Sequence, residues 1–278
     1  MIQSKQKPKK ISIFGSNGFE YVFLLKGGED LRQDEGVMQI FGLVNNIFMR
    51  NITSRKNLAI QLYNVIPLSE SVGLLQWLHN CDTLDHIINT HRRNKKIPIS
   101  IEENLIAELA PIRESYKKTF KINEIVYYAL KDLTLIQKVN IFESVIENTP
   151  GDDLAQILFH KSSNAESWLE RRTNFSRSLA VMSIVGYVLG LGDRHTNNLM
   201  FERTNGKIIH IDFGDCFENA MVRDHFPEKI PFRLTRMFIN ALEVTGIEGT
   251  LNLFDFFNFY QIEKFGNFKE HLEKHVNR

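Results

Sequence analysis

The chain has 278 residues, of which 43% are hydrophobic and 24% are charged, and its formal net charge is +1. This composition is that of an ordinary globular protein, and the balanced charge gives no reason to expect electrostatic binding to nucleic acid or to a membrane surface. The longest apolar run, Leu179–Leu191, is too short to span a bilayer and is interrupted by Gly186 and Gly190. We therefore expect a buried helix there, no transmembrane segment and no nucleic-acid partner.

Two further features indicate the compartment. The only cysteines, Cys81 and Cys216, lie far apart and form no metal-binding pattern, so free thiols in a reducing compartment are expected. The first ten residues contain four lysines and no apolar core, unlike a secretory signal peptide. Both features favour a cytoplasmic protein.

The predicted elements change from strands to helices along the chain. An Asn-Gly turn between apolar stretches predicts a β-hairpin over residues 11–26, and apolar residues at helical spacing predict a helix over residues 31–49. Strands are expected over residues 58–66, 72–78 and 207–211. The other predicted helices cover residues 83–92, 101–109, 134–147, 154–159 and 166–189. We therefore predict an α+β fold with a strand-rich first part and a helical remainder.

The most informative residues lie on either side of the strand over residues 207–211. Asp193 precedes Asn198 by five residues, and Asp212 opens an Asp-Phe-Gly triplet fourteen residues after Asn198. Phosphoryl transfer requires a carboxylate that accepts the hydroxyl proton, and oxygen ligands that hold Mg²⁺ or Mn²⁺ against the ATP phosphates. The protein-kinase signature His-Arg-Asp is reversed here to Asp-Arg-His, but its Asp-to-Asn spacing is kept. We predict that Asp193 accepts the proton and that Asn198 and Asp212 bind the metal.

Longer runs carry a resemblance to a known family. With SLAVMSIVGYVLGLGDRH (178–195), DFGDCFE (212–218) and FPEKIPFRLTRM (226–237), the chain resembles the phosphatidylinositol-3-kinase-related protein kinases, and the TOR (target of rapamycin) kinases in particular. The resemblance covers roughly residues 2–249. It implies an ATP- and Mg²⁺-dependent kinase that phosphorylates Ser and Thr of proteins in growth and nutrient signalling.

The resemblance also implies how the chain is divided. A two-lobed, protein-kinase-like fold of the PI3/PI4-kinase type is expected, with a small β-rich N-lobe at residues 1–78 and a larger helical C-lobe at residues 79–249. ATP would lie in the cleft between the lobes. Residues 111–133 are longer than the family pattern and residues 250–278 diverge from it. We therefore expect a chain truncated at both ends, with a divergent C-terminal tail.

The ATP phosphates require cations and polar donors, yet the chain has no G-x-G-x-x-G and no Walker A motif. The resemblance implies that Ser4 and Gln6 belong to a phosphate loop, although taken alone they lie in a basic tail. It also implies that Lys26, at the end of an apolar strand, contacts the phosphates, and that Glu29 and Asp34 orient its ammonium. The alternatives are an ordinary strand-end lysine and, for Asp34, an acid that faces a helix dipole.

Adenine requires a flat apolar slot with polar groups at its rim. The resemblance implies a slot at the change from strands to helices, lined by Leu24, Tyr63, Gln76, Trp77, Leu78, Thr83 and Met200. Gln76 stands where TOR kinases usually have a small residue, and it would tighten the entrance. The alternative for Trp77 is simple core packing.

Other interpretations stay open at this point. The resemblance suggests that His195 supports the transferring phosphate or orients Asp193, but a single histidine is as often structural. A phosphoinositide kinase would share the lobe plan and the Asp-Arg-His and Asp-Phe-Gly order. An inactive kinase-like binding module is a third alternative, which the competent residue types at Lys26, Asp193, Asn198 and Asp212 argue against.

The substrate class is predicted from the segment that follows the Asp-Phe-Gly triplet. A kinase acting on phosphoinositide headgroups requires a cluster of cations there. Residues 213–236 instead contain four bases and four acids, with interleaved signs: Arg223, Lys229, Arg233, Arg236, Asp215, Glu218, Asp224 and Glu228. This balance favours protein substrates over lipid.

The resemblance implies partners as well as substrates. In TOR kinases a β-propeller subunit docks on an insertion that corresponds here to the segment beginning near Ile97. Scaffold subunits of a TOR complex are also expected. Peripheral attachment to endomembranes would occur through such partners.

Overall fold

The computed structural model describes residues 7–50, 54–55, 57–109, 133–216, 233–242, 244 and 246–248. These residues form two compact units. The first is drawn from residues 1–84, 162–234 and 242–278, and the second from residues 85–161 and 235–241. Every described candidate site residue belongs to the first unit. The predicted division into lobes between residues 78 and 79 stays a prediction.

The secondary structure confirms the change from strands to helices. The strands are β1 (Lys9–Phe14), β2 (Glu20–Gly27), β3 (Val65–Ser69), β4 (Val72–Gln76), β5 (Cys81–Thr83), β6 (Leu199–Glu202) and β7 (Ile208–His210). The helices are α1 (Arg32–Arg50), α2 (Leu84–Lys95), α3 (Ile101–Leu109), α4 (Leu135–Asn148), α5 (Asp153–His160), α6 (Ala165–Val188) and α7 (Arg236–Ala241), with a 3₁₀ turn at Gly246–Glu248. Among the described residues, no helix has both the length and the apolar composition of a membrane span.

Two antiparallel sheets position the first unit's functional residues. The larger sheet has the strand order β1-β2-β4-β3 and packs against α1. Its first two strands form the predicted hairpin, in which Asn17 Oδ1 accepts a hydrogen bond from Phe19 N at 3.1 Å. The smaller sheet has the order β5-β6-β7, and α6 packs against β7.

The predicted strand over residues 58–66 is wrong except at its last two residues. Leu58, Ile60 and Tyr63 are buried, but Leu62 is exposed, so the alternation expected of a strand is broken after Ile60. Asn45 on α1 donates to Ile60 O at 2.9 Å and accepts from Ile60 N at 2.8 Å. A helix side chain thus takes the place of a neighbouring strand.

The core of the first unit gathers apolar side chains from α1, from the segment before β3 and from the end of α6, together with Phe213. Phe41 and Phe213 meet edge to face, with their ring centroids 5.4 Å apart. Val181 and Met182 of α6 belong to this core, which confirms the predicted buried helix. The helix ends at Val188, and Leu189 and Leu191, which follow it, belong to the same core. The loop that follows α6 is therefore anchored at its beginning.

We expect Leu189→Ala to lower the free energy of unfolding by about 2–5 kcal/mol, because it removes buried methyl groups and leaves a cavity. Leu189 is 5% exposed. Tyr187, two residues earlier and 56% exposed, provides the control, and Tyr187→Ala is expected to change stability little. Denaturant unfolding curves of both variants test this, and equal midpoints would contradict the assignment of Leu189 to the core.

A charged network lies within the second unit. The buried Arg92 donates to Glu102 Oε2 and Oε1 at 2.8 and 2.7 Å and to Asp153 Oδ2 at 2.9 Å. It also donates to Ile99 O at 2.7 Å. Arg236, at the start of α7, lies 3.6 Å from Glu102 Oε1. One guanidinium therefore joins α2, α3 and α5.

Candidate active site

The β6–β7 hairpin brings the two sequence motifs to one end of the smaller sheet. Asn198 immediately precedes β6, and Asp212 follows β7 by two residues. Leu199 pairs with His210 in the ladder, and Ile211 N donates to Asn198 O at 3.1 Å, so the pairing extends one residue beyond the strands. Because antiparallel pairing joins the beginning of one strand to the end of the next, Asn198 and Asp212 lie at the same end of this hairpin.

The loop before β6 holds Asp193 against Asn198. The Asn198 amide Nδ2 donates to Asp193 O at 3.0 Å and to Asp193 Oδ2 at 3.2 Å. Asp193 has a left-handed backbone with φ of 57°, a conformation that Asp and Asn adopt more readily than most residues. His195 Nε2 lies 3.8 Å from Asp193 Oδ2. The imidazole is therefore close enough to act on Asp193, and it is half exposed.

Lys26, at the end of β2, reaches two carboxylates. Its Nζ lies 2.6 Å from Glu29 Oε1 and 3.6 Å from Asp212 Oδ2. Burial lowers the pKa of Lys26, but the charges of Asp212 and Glu29 outweigh it, so the net pKa is raised above its ordinary value. The ammonium therefore stays charged at neutral pH, next to the residue predicted to bind the metal.

Asp34 contacts the Asp-Phe-Gly triplet and not the Lys26 ammonium. Phe213 N donates to Asp34 Oδ1 at 3.3 Å. Burial raises the pKa of Asp34 to about 6, although this amide and the charge of Lys26 act in the opposite direction. The side chain lies in the first turn of α1, where the alternative interpretation placed it. That Asp34 orients the Lys26 ammonium stays a prediction.

Two residues that hold the triplet were missed in the sequence. Gln33 Nε2 donates to Phe213 O at 3.1 Å and to Gly214 O at 3.2 Å. The buried Arg194 donates to Gly192 O at 2.7 Å, to Ile211 O at 2.8 Å and also to Asp212 O. Its guanidinium thus links the loop before β6 to the residues after β7. The only signal for Arg194 in the sequence was its position inside Asp-Arg-His. A guanidinium is planar and presents several donors, so it can bind several carbonyl groups that converge on it.

The residues predicted to line the adenine slot occupy several elements of the first unit. Thr83 and Met200 face each other in the β5–β6 ladder. Leu24 on β2 pairs with Leu75 on β4, and Leu78 packs against the core. The slot itself stays a prediction for these residues.

Two other residues predicted to line the slot, Trp77 and Gln76, make contacts that limit how they can move. Trp77 N donates to Val22 O at 2.9 Å, and the Lys10 ammonium lies 4.5 Å from the centroid of the Trp77 ring. Gln76 Oε1 accepts from Asn64 N at 2.9 Å.

Tyr63 is buried in the core, and a hydrogen bond joins its hydroxyl to the backbone of Asp212. Burial, together with the charges of Asp34 and Asp212, raises its pKa well above the ordinary value. Ser4 and Gln6 lie outside the described residues, so the predicted phosphate loop is not tested.

The comparisons with known proteins agree with this arrangement. Residues 20–274 match the model of the family described as phosphatidylinositol 3- and 4-kinase. The chain belongs to this family. A solved structure of the FAT and kinase domain of CtTel1 superposes with a TM-score of 0.75 at 27% identity, covering 94% of this chain and 17% of that chain. The predicted α+β fold of the PI3/PI4-kinase type is thereby confirmed.

The TOR kinases are similar members of this family. The chain is 55% identical over 251 residues to serine/threonine-protein kinase mTor of Drosophila melanogaster and 50% identical over 254 residues to TOR2 of Saccharomyces cerevisiae. It is 31% identical to serine/threonine-protein kinase Smg1 of Drosophila melanogaster. The predicted resemblance to TOR kinases is confirmed. The chain spans about a tenth of the length of these TOR relatives.

The residues present fit the divalent metal that kinases of this family use. Among residues 7–109 and 133–248, where described, no group of three or more His, Cys, Asp or Glu could hold a metal by itself. The predicted site needs only two protein ligands, since ATP phosphates and water supply the others. The Asn198 amide nitrogen is engaged by Asp193, which leaves its oxygen as the ligand atom, and the Asp212 carboxylate already faces a cation.

Proposed function

We propose that this chain is the catalytic part of a TOR-type protein serine/threonine kinase. It transfers the γ-phosphate of ATP to Ser and Thr hydroxyls of proteins, with Mg²⁺ or Mn²⁺ as the metal, and it acts in growth and nutrient signalling. The observation that carries this proposal is the convergence of Lys26, Asp212, Asn198 and Asp193 at one end of the β6–β7 hairpin. The identity to TOR kinases over about 90% of the chain supports it.

Each of these side chains has a role in the proposed reaction. The substrate hydroxyl forms a bond to the γ-phosphorus, the bond to the bridging oxygen of ADP breaks, and the hydroxyl proton moves to the Asp193 carboxylate. Lys26 neutralises phosphate oxygens. Asp212 and Asn198 would hold the metal, which neutralises the charge that develops on the phosphates. The His195 imidazole lies next to the Asp193 carboxylate and either orients that group or supports the transferring phosphate.

The substrate class follows from charge balance and from the relatives. The eight charged residues between 213 and 236 sum to zero, which gives a lipid headgroup no cationic cluster to bind. The relatives at 50–55% identity are named serine/threonine-protein kinases. A protein hydroxyl is therefore the proposed acceptor.

A transfer assay with labelled ATP tests this choice. We expect label in Ser and Thr of a mixture of unfolded proteins, and none in vesicles that contain phosphatidylinositol. Both acceptors are offered separately, with a no-acceptor reaction as the control. Label in the lipid alone would replace the proposal with a phosphoinositide kinase, and label in neither would favour an inactive binding module.

The metal assignment gives a further prediction. Asp212→Asn removes the ligand charge, and we expect the variant to lose most of the nucleotide affinity that Mg²⁺ confers. Titration calorimetry with ATP, in Mg²⁺ and in EDTA, measures this difference. Asp215→Asn removes a nearby acid outside the predicted metal site and serves as the control. Equal metal-dependent affinities in Asp212→Asn and wild type would refute the assignment.

A partner surface is supported by the second unit. The helix α4 exposes five large apolar side chains, and four of them recur at helical spacing along one face: Leu135, Val139, Phe142 and Ile146. Exposed apolar stripes of this kind mark protein interfaces. We propose this face for the β-propeller subunit expected at the insertion, with scaffold subunits elsewhere. A cytoplasmic location, with endomembrane contact through these partners, completes the proposal.

A further inference from the structure

A cavity of about 140 Å³ lies in the first unit, and the described charged residues that line it are all basic. Arg177 on α6, Lys207 before β7 and Arg55 in the turn after α1 supply three positive charges, while Asn57 and Asn174 supply neutral polar groups. We name it the basic cavity. None of the residues assigned above to ATP, to the metal or to proton transfer lines it.

The cations of the basic cavity are not neutralised by the described parts of the chain. No Asp or Glu is among its described lining residues, and no ion pair joins Arg55, Arg177 or Lys207 to a described carboxylate. Arg177 and Lys207 are half-buried. Cations grouped at a partly buried surface repel one another more strongly than they would in water, because the effective dielectric constant is lower there. An anion placed among them relieves this repulsion and is stabilised.

Hydrogen bonds hold this arrangement in place before any ligand binds. Asn174 Nδ2 donates to Asn205 O at 3.1 Å, and Ile208 N donates to Ser178 Oγ at 2.9 Å. These contacts fix the chain on either side of Lys207 to the face of α6 that carries Arg177. Gly206 allows the close approach, since a Cβ there would meet Arg171 O at 2.8 Å and the residue has a φ of 80°.

The opposite wall is fixed as well. The turn that carries Arg55 is closed by hydrogen bonds from Asn57 N and Leu58 N to Ser54 O, at 3.0 and 2.8 Å. Asn45 then ties Ile60 to α1. The described backbone around the cavity is therefore held before a ligand binds, and this lowers the entropic cost of binding.

We propose that the basic cavity binds a small anion that carries more than one phosphate group. Two guanidinium groups and one ammonium match phosphate oxygens, for which arginine offers paired donors. A soluble inositol phosphate and the headgroup of a membrane phosphoinositide share this chemistry. The inference does not rest on the proposed kinase activity.

Titration calorimetry of the purified chain with inositol 1,4,5-trisphosphate, at low salt and without metal, tests the proposal. We expect binding in the wild type and a loss of about tenfold or more in affinity for each of Arg177→Gln and Lys207→Gln, the worth of a hydrogen bond between charged groups. The double variant Arg93→Gln/Lys95→Gln removes two exposed charges from α2 and is expected to bind as the wild type does. Asp212→Asn is likewise expected to bind normally, which separates this cavity from the ATP site.

The source of the phosphate groups is distinguished in a second arm. Flotation with phosphatidylcholine vesicles that contain phosphatidylinositol 4,5-bisphosphate shows whether the cavity can reach a headgroup at a membrane. Flotation that requires Arg177 and Lys207 assigns a lipid, and binding of the soluble trisphosphate alone assigns a free anion; either result supports the proposal.

Three results would overturn it. They are no binding of either probe, equal binding by the wild type and the Arg177→Gln/Lys207→Gln variant, or binding of poly-glutamate in place of both phosphate probes. The last would make the cavity a docking site for an acidic protein segment. Thermal unfolding of each variant, expected to match that of the wild type, shows that lost binding is not lost folding.

Discussion

Asp193→Asn is expected to lower the rate of phosphate transfer by about 10²–10⁴-fold, the usual contribution of a general base. The amide cannot accept the hydroxyl proton, but it has nearly the same shape as the carboxylate. Asn also tolerates the left-handed backbone observed at this position. The loss should therefore fall on kcat, while the affinity for ATP and the unfolding midpoint stay close to those of the wild type.

Steady-state kinetics with saturating ATP measure this effect. The control variant is Asp152→Asn in the second unit, which also replaces one carboxylate with an amide but lies outside the candidate site. The control is expected to keep the wild-type rate. An unchanged kcat in Asp193→Asn would show that another group accepts the proton. A variant that no longer folds would show that the hydrogen bonds between Asn198 and Asp193 are chiefly structural.

The largest effect on stability is expected from Arg92→Met in the second unit. This change leaves the buried Asp153 carboxylate without its cation, and breaking a buried ion pair from one side typically costs about 3–5 kcal/mol. Ile99 O loses a donor as well. Denaturant unfolding of the variant should show this loss, whereas Arg93→Met, at the exposed neighbouring position, should be close to neutral.

A double variant separates the ion pair from simple packing. Arg92→Met/Asp153→Asn removes the unpaired buried charge and is expected to recover part of the lost stability, because replacing both partners costs less than removing one. The single variant Asp153→Asn completes the comparison. If the losses of unfolding free energy in the two single variants add up to the loss in the double variant, the two residues are not coupled. The network would then stabilise the unit through Glu102 only.

The proximity of three candidate residues has a local cause. Asp193 and Asn198 precede β6 and Asp212 follows β7, and antiparallel pairing brings the beginning of β6 to the end of β7. The sequence indicated only β7, so the motif spacing, not the hairpin, was the basis of the prediction. Arg194 and Gln33 were not predicted, since they act by donating to backbone carbonyl groups. Such contacts depend on distant chain segments and leave no periodic pattern in the sequence.

The strand errors have a different cause. Residues 58–64 carry the apolar alternation of a strand, but Asn45 on α1 takes up the backbone groups that a neighbouring strand would use. Strands β5 and β6 contain three and four residues, which is too short for alternation to be recognised. In both cases the structure of the segment depends on which other segment forms hydrogen bonds with its backbone, and that segment is determined by the tertiary fold.

The backbone at Asp193 and Asp212 limits how this site can be lost in evolution. Both residues have φ near 60°, where a residue with a Cβ and no compensating polar group costs about 1–2 kcal/mol. A descendant that has abandoned catalysis but still needs its folded surface should therefore carry Asn or Gly at these two positions. Valine or isoleucine there would instead indicate that selection for the loop itself has been relaxed. The residue that replaces Asp193 or Asp212 thus shows whether an inactive homologue is still under selection for its folded surface.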